Sequence, residues 1–368
     1  MKKSYLRVID QFFMQNPEFQ DRKLKSIFFG GGTPSLAQPE TFSSIIHQTS
    51  KYISFLPDVE ITMEANPTSV ESDKIKEFKQ AGINRVSIGV QSFDERDLKF
   101  LGRKHSIQEA VNAIKIAQDS VGQDRVSLDL MFGTNLHASE PDAWKKVLKT
   151  ALDLGTQHIS LYQLTVEKNT SFYKKHAKGE FNLPSEEIYE YLYDTAINMC
   201  AEKGLKQYEV SNFSSSESTQ SKHNVQYWKS RDYIGIGPGA HSRLTLPNNE
   251  RVAAVQIMQP EQWMHEVNGD DVYNKIMPGN IKVDNLSTQE RVDELFLMGL
   301  RLVQEGVSES ALAHHSGLTF SSALNKNILN QLIHHELLRM EETQNDKNLV
   351  ATSKGIKVLN SVLSTLLD

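Results

Sequence analysis

The sequence predicts an α/β fold in which a mostly parallel sheet is covered by helices. Between residue 24 and about residue 210, short runs of β-branched residues alternate with amphipathic helical segments, and repeated β-then-α units are typical of such a sheet. Polar residues follow one strand after another, and the carboxyl ends of parallel strands form one rim, where barrels and half-barrels place their chemistry. We therefore expect a partial (β/α) barrel with its site at this rim.

The predicted elements follow from residue content and periodicity. The strand candidates, chosen for their β-branched and aromatic residues, are Ser26–Phe29, Val59–Ala65, Arg85–Val90, Arg125–Met131, His158–Leu164 and Gln207–Val210. The helical segments between them are Pro39–Ser54, Glu71–Ala81, Ile107–Ser120, Ala143–Leu154 and Glu186–Lys203. A further helix begins the chain, because Leu6, Ile9 and Phe13 fall on one helical face.

The last part of the chain reads as a separate, small helical module. The composition shifts near Asn285, and the chain is helical from Thr288. Residues 307–338 resemble two short helices joined by a turn at residues 317–319, and Leu349–Ser353 precedes an apolar helix. We expect residues 1–210 to form the barrel, 211–284 a connecting region, and 285–368 an α-rich, winged-helix-like domain.

Composition excludes several classes of protein. The net charge of −6 and a pI near 6.1 argue against a general nucleic-acid binder. No run of roughly 18 apolar residues is present, so we expect no membrane span. The single cysteine, Cys200, excludes an intramolecular disulfide and a cysteine-ligated cluster built from these residues.

A glycine-rich loop is the strongest local signal. Gly30, Gly31 and Gly32 follow the first strand in the segment FFGGGTPS, and glycines let a backbone approach a ligand closely while exposing its N–H groups. Thr33 or Ser35 can cap the next helix. No Lys-Ser/Thr follows, so the loop is no Walker A motif. The plain alternative is a tight strand-to-helix turn.

Polar side chains stand at the ends of the next predicted strands. Glu64 closes the second strand ahead of an Asn-Pro pair, Gln91 follows the third, and Asp129 ends the fourth. Arg103 lies between the last two. These groups can line a ligand site at the rim. A capping turn at Glu64 and a structural Arg–Asp pair are the alternatives.

Together these segments resemble a known family. FFGGGTPS, EANP, RVSIGVQSF, LGRKH and SLDLMFG are similar, in this order, to the coproporphyrinogen-III-oxidase-like radical S-adenosylmethionine (SAM) proteins. The segment HNVQYW, with YIGIG and GAH beyond it, resembles the HemW-type haem-chaperone branch. The resemblance covers nearly the whole chain. It implies a partial (β/α)6 radical SAM barrel lacking its first strand, followed by the small C-terminal domain.

The resemblance also implies which residues bind SAM. By their positions in the family's motifs, the residues expected to contact the methionine end or to line the rest of the site are Gly31, Gly32, Thr33, Glu64, Gln91, Arg103 and Asp129.

A haem site is implied by the HNxxYW motif. The matching residues are His223, Asn224, Tyr227 and Trp228. An imidazole can ligate haem iron, and aromatic rings can pack on the macrocycle, so His223 is the expected iron ligand. Ser221 stands where some members carry a cysteine, which argues against covalent attachment there. The alternative is a histidine and two aromatics packed at the edge of the barrel.

One departure from the family matters more than the matches. The family holds a [4Fe–4S] cluster on a C-x3-C-x2-C loop upstream of the glycine segment, with SAM chelating the fourth iron. This sequence has no such loop, and Cys200 lies on an apolar helical face with Leu192 and Ala196. A missing first strand would leave an unpaired parallel edge. We therefore expect an incomplete record or an alternative start rather than a cluster-free paralogue.

Three functions remain open to test. The resemblance implies a haem chaperone that binds haem and passes it to an acceptor protein. The alternative is an oxygen-independent coproporphyrinogen III oxidase of porphyrin biosynthesis, but without cluster ligands the chain as written should be catalytically inactive. A winged-helix nucleic-acid binder is disfavoured, since Lys326 and Arg339 stand among acidic residues.

The expected partners are haem and an acceptor protein, with no nucleic acid. Family members occupy the bacterial cytoplasm or the mitochondrial matrix. The first residues lack the long apolar region of a secretory signal, and Asp10, Glu18 and Asp21 do not suit a mitochondrial transit peptide.

Overall fold

A computed structural model describes residues 1–68, 74–269, 276–342, 344 and 346–367. The chain divides into two compact units, which are treated separately. The terminal unit comprises Met1–Ile27, Glu40–Val59 and Ser221–Asp368, and the sheet unit comprises Phe28–Pro39 and Glu60–Gln220. The finer division at residues 210 and 284 stays a prediction.

A seven-stranded sheet carries the predicted β/α alternation. Its strands are β1 (Lys23–Phe29), β2 (Ser54–Ala65), β3 (Arg85–Gln91), β4 (Val126–Phe132), β5 (His158–Gln163), β6 (Lys206–Glu209) and β7 (Asn212–Ser214), in the order β1-β2-β3-β4-β5-β7-β6. Strands β2 to β5 pair in parallel, whereas β7 runs antiparallel to both β5 and β6. The predicted fold class is confirmed.

Helices connect the strands as the periodicity predicts. They are α1 (Lys2–Gln15), α2 (Pro39–Ser50), α3 (Ile75–Gln80), α4 (Glu95–Phe100), α5 (Ile107–Val121), α6 (Asn135–Ser139), α7 (Ala143–Asp153), α8 (Ser171–Ala177) and α9 (Glu186–Glu202). The helix expected to reach residue 54 ends at Ser50, because Ile53 turns into the core and Phe55 continues in the extended strand β2. Residues 71–73 of another predicted helix lie outside the described residues.

Local sequence fixes two of these helices. A capping box begins α5, where Ser106 Oγ accepts from the Glu109 amide at 3.2 Å and the Glu109 carboxylate accepts from the Ser106 amide at 2.9 Å. The stripe Trp144, Val147 and Leu148 of α7 is buried, so this helix covers the sheet with its apolar side.

Strand register decides which side chains share a face. Glu64 pairs with Ser87 across β2 and β3, and Asp129 pairs with Ser160 across β4 and β5. Because side chains alternate along a strand, every second residue of these four strands faces the same side of the sheet. That face carries most of the polar residues discussed below.

The terminal unit contains a small antiparallel sheet packed on α1. Its strands are β8 (His241–Thr245), β9 (Arg251–Gln256) and β10 (Asn280–Asn285), in the order β10-β9-β8. Along the chain, helix α10 (Lys222–Trp228) precedes β8, and helix α11 (Pro260–Asn268) follows β9. Val8 and Phe12 of α1 pack with Trp263, Val267 and Met277 in one buried cluster.

The C-terminal module agrees with the predicted winged-helix-like arrangement. It consists of α12 (Thr288–Gly299), β11 (Val307–Ser308), α13 (Glu309–Ser316), α14 (Phe320–Ala323), α15 (Lys326–His334), β12 (Leu338–Glu342), β13 (Lys347–Ala351), α16 (Ser353–Lys357) and α17 (Leu359–Leu367). The strands form the sheet β11-β13-β12. Gly317 ends α13 in the left-handed conformation, at φ 73°. No helix of the described ranges is long and apolar enough to cross a membrane.

Candidate functional site

The glycine loop after β1 is open and conformationally specific to glycine. Gly31 and Gly32 have φ values of 78° and 61°, which disfavour other residues, and a Cβ at either would meet no atom within 4 Å. A Cβ at Gly30 would instead overlap the Phe28 ring and lie 3.2 Å from Cδ of Glu64. The loop therefore offers free space beside its exposed backbone.

Thr33 does not have the capping role expected of it. It precedes a single 3-10 turn, Pro34–Leu36, and its side chain makes no capping hydrogen bond there. The backbone rather than the hydroxyl directs this turn, because Pro34 occupies its first position and fixes φ. The hydroxyl of Thr33 is thus not committed to the cap.

Two carboxyl groups face the interior of the sheet unit. Glu64 accepts a hydrogen bond from the Gly31 amide at 3.2 Å, and burial raises the pKa of its carboxyl above the ordinary value. Burial, and in smaller part the charge of Glu64, raises the pKa of Asp129 to about 6. Ser87 Oγ donates to Asp129 at 3.0 Å. The two carboxyl groups thus repel each other's ionised form.

Gln91 stands at the end of β3 in a special backbone conformation. Its φ is 69°, and the pairing of β3 with β4 shifts register between Ile88 and Gln91. The next residue, Ser92, donates to Asp97 at 3.2 Å, and Thr134 after β4 donates to the same carboxylate at 2.6 Å. This buried network ties the ends of two strands together and so holds the backbone at Gln91.

Arg103 is not paired with Asp129. The partners of Asp129 are the hydroxyls of Ser87 and Ser160, and the Arg103 side chain is exposed. Within the described ranges its guanidinium makes no hydrogen bond or ion pair, and partial burial lowers its pKa. The structural Arg–Asp pair considered from the sequence is therefore wrong, and this cation is available for a ligand.

A buried polar floor lies deeper in the sheet unit, and the sequence reading missed it. Arg85 and Glu60 are 1% and 0% exposed and approach to 3.6 Å, while Arg85 Nη2 donates to Ser127 Oγ at 2.9 Å. His158 Nε2 lies 2.9 Å from the hydroxyl of Tyr208. The alternation of side chains along a strand could have revealed this group from the sequence. Residues 85, 87 and 89 share one face of their strand, as do residues 158, 160 and 162.

The predicted haem motif forms the short helix α10 in the terminal unit. Ser221 caps it, since its hydroxyl accepts from the Asn224 amide at 3.3 Å. His223 and Tyr227, one turn apart, stack edge to face at 4.6 Å between ring centroids, and Tyr227 meets Tyr233 at 4.5 Å in the same way. The structure thus adds Tyr233, which the motif did not include, to the ring contact of His223 and Tyr227.

Burial sets the protonation of this aromatic row. It lowers the pKa of His223 to about 4 and raises the pKa of Tyr227 to about 12. At neutral pH the imidazole is therefore uncharged, which is the form that ligates a metal.

Trp228 lies on a different side of α10. At 100° per residue it is rotated about 140° from His223, and the Arg301 guanidinium covers its ring at 5.5 Å. Asn224 contributes its backbone amide, which donates to the Ser221 hydroxyl that caps the helix. Of the four motif residues, the structure brings only His223 and Tyr227 into ring contact.

Cys200 is no cluster ligand. It is fully buried in α9, and burial raises the pKa of its thiol to about 12, so the thiolate that binds iron is disfavoured. The described residues also contain no group of three or more His, Cys, Asp or Glu side chains arranged to hold a metal ion.

Comparison with known proteins adds sequence relatives. Residues 1–140 match the Radical SAM superfamily. Radical S-adenosyl methionine domain-containing protein 1, mitochondrial, of Danio rerio is 35% identical over 359 residues, covering 95% of this chain and 76% of that protein. Haem chaperone HemW of Haemophilus influenzae is 35% identical over 307 residues, covering 83% of this chain and 75% of that protein.

A solved structure shares the fold. Coproporphyrinogen III oxidase (HemN) from Escherichia coli, a radical SAM enzyme, superposes with a TM-score of 0.73 over 99% of this chain and 82% of its own. The two sequences are 17% identical, so the likeness concerns the fold.

Proposed function

Because the chain belongs to the HemW-type family of radical SAM proteins, we propose that it is a haem chaperone, which binds haem and passes it to an acceptor protein. Its relatives include a protein named haem chaperone HemW, 35% identical over 83% of the chain. We further propose His223 as the iron ligand and the row His223, Tyr227 and Tyr233 as the surface for the macrocycle.

The row of rings formed by His223, Tyr227 and Tyr233 is the observation that carries this proposal. The His223 imidazole is neutral at physiological pH because burial lowers its pKa to about 4, so its nitrogen lone pair does not have to be freed from a proton before it binds iron. The T-shaped neighbours Tyr227 and Tyr233 supply apolar ring surface beside it.

We also propose that the rim of the sheet unit binds SAM. The glycine loop leaves open space beside Gly31 and Gly32, Glu64 can accept from the SAM ammonium group, and Arg103 can pair with its carboxylate. Thr33, Gln91 and Asp129 complete the proposed site. SAM bound at a reduced iron–sulfur cluster supplies a 5′-deoxyadenosyl radical in this superfamily.

The residues present do not fit the cluster itself. A radical SAM cluster takes three thiolates, and these 368 residues contain one cysteine, which is buried. We therefore derive no radical step for these residues, and the proposed function is haem binding and transfer.

Titration with haemin tests the proposal. The wild-type chain should give a saturable Soret shift, and His223→Ala should weaken binding by about 10-fold or more, the loss expected for about 1.4 kcal/mol of ligation. His47→Ala is the matched control, since His47 is an exposed histidine of the same unit. Equal Soret shifts from wild type and His223→Ala would reject His223 as the ligand.

We propose the mitochondrial matrix as the compartment. The supporting observation is that the Danio rerio relative, which covers 95% of this chain, carries the word mitochondrial in its name. Fractionation of the source cells with an antibody to this chain tests the assignment, and recovery with cytosolic markers alone would reject it.

A further inference from the structure

A cavity of the terminal unit lies beside the C-terminal end of the haem-motif helix α10. It has a volume of about 300 Å³ and is bounded by the end of α10, by α12 and α13, and by the three-stranded sheet of the C-terminal module. We call it the Trp228 cavity and define it by Trp228, Arg231, Leu295, His315 and Asn348. None of these residues takes part in the ring contacts of His223.

Two polar atoms in the wall of this cavity lack a partner. Trp228 Nε1 and Asn348 Oδ1 are both buried, and neither makes a hydrogen bond within the described part of the chain. The other two tryptophans differ, because Trp144 Nε1 donates to the Leu192 carbonyl at 3.1 Å and Trp263 Nε1 donates to Gln256 Oε1 at 2.6 Å. Buried polar groups are normally paired, so these two unpaired groups at one cavity are the candidates there for binding a ligand.

The chemistry of the two groups narrows the class of ligand. An indole N–H only donates, so it needs an acceptor. The amide of Asn348 can turn by 180° and present its nitrogen at the same place. Both groups can then act as donors, and a carboxylate is an acceptor with two oxygens.

Charge around the cavity favours an anion. Arg231 is exposed, and in the described ranges its guanidinium forms no hydrogen bond or ion pair. The acidic residue in the wall, Glu305, is neutralised by Lys229 at 2.5 Å. The pKa of His315 is lowered to about 4, mainly because the side chain is buried. The neighbouring basic side chains Arg251, His314 and Arg231 contribute to this lowering, and Asp232 opposes it.

We propose that the Trp228 cavity binds a small carboxylate, with the Trp228 indole and the Asn348 amide donating to its oxygens and Arg231 supplying the positive charge. The volume stands at the low end of ligand pockets, so it suits a short acid or a single acidic group rather than a whole macrocycle. The carboxylate comes either from a separate organic acid or from a haem propionate. The second source rests on the proposed function.

Nuclear magnetic resonance of the indole N–H groups tests the site directly on the whole chain. Benzoate is the probe, and neutral benzamide of the same shape is its control. Benzoate should shift the Trp228 signal in a saturable way and leave those of Trp144 and Trp263 unmoved. No shift of the Trp228 signal, or equal shifts with benzamide, would overturn the proposal.

Two variants identify the groups that act. Asn348→Leu removes one donor at similar volume, and Arg231→Gln removes the charge; each should weaken benzoate binding by about 10-fold, the effect of about 1.4 kcal/mol. Unchanged affinity in both variants would contradict the assignment. The wild-type titration stands even if a variant fails to fold.

Haem and its dimethyl ester distinguish the two sources. If Asn348→Leu weakens the binding of haem and spares that of the ester, the ligand is a propionate. If Asn348→Leu changes the binding of neither haem nor the ester, while benzoate still shifts the Trp228 signal of the wild type, the ligand is a separate organic acid. If haem does not bind at all and benzoate does, the proposed function fails and the carboxylate site stands.

Discussion

Replacing Asp129 by asparagine should stabilise the ligand-free protein at neutral pH. Burial raises the pKa of this carboxyl to about 6, from an ordinary 3.8. Above pH 6 the ionised carboxylate therefore lowers the free energy of unfolding. At 1.36 kcal/mol per pKa unit this difference corresponds to about 3 kcal/mol. The side chain is partly accessible, and solvent screening reduces the expected gain to about 2 kcal/mol.

The sign of the pH dependence follows from the same values. Below pH 3.8 both the folded and unfolded carboxyl groups are protonated, so the substitution has no electrostatic effect there. Between pH 3.8 and about 6 the wild type loses stability as the pH rises, and above that range the loss is complete. Ser87 and Ser160 can still pair with an amide, because a hydroxyl both donates and accepts.

Urea unfolding followed by circular dichroism measures this effect in buffers from mildly acidic to pH 8. The advantage of Asp129→Asn should shrink steadily as the pH is lowered. Asp153→Asn is the control of opposite sign, because hydrogen bonds from Lys149 and Lys203 lower the pKa of the exposed Asp153 to about 2. A lower free energy of unfolding for Asp129→Asn than for wild type, or a gain in that free energy that does not change with pH, would refute the reasoning.

Three further substitutions test other parts of the sheet unit. Gly30→Ala should lower stability by about 1–3 kcal/mol, since its Cβ would overlap the Phe28 ring; urea unfolding checks this. Glu60→Gln should cost about 3–5 kcal/mol by leaving Arg85 buried without its counter-charge, and the loss is read in the same assay. Arg103→Gln should leave stability within about 0.5 kcal/mol of wild type. Calorimetry should then show SAM binding weakened by about 10-fold.

Local pattern determined much of the fold. The strands β2 to β5 and the helices between them follow from β-branched runs and amphipathic periodicity, which depend on neighbours in sequence. The position of the glycine loop directly after β1 was predicted for the same reason. The placement of Glu64 and Asp129 on one face also follows, because side chains in a parallel strand alternate.

Tertiary structure alone decided which of these groups meet. Spacing allowed Arg103 to pair with Asp129, yet Ser87 and Ser160 hold Asp129. Strand register places Ser160 opposite Asp129, and Ser87 opposite Ser127, two residues before it on the same face. The motif suggested that His223 and Trp228 belong to one cluster, but the rotation of helix α10 places them on different sides. The indole of Trp228 instead lies at the cavity that residues of α12 and α13 line.

The sequence by itself therefore determined the family, the α/β architecture and the residues that could carry chemistry. The pKa of His223, the buried pair of Arg85 and Glu60, and the unpartnered indole of Trp228 came only from the structure. The physical reason is that desolvation and hydrogen bonding depend on atoms far away in sequence, whose positions no local pattern records.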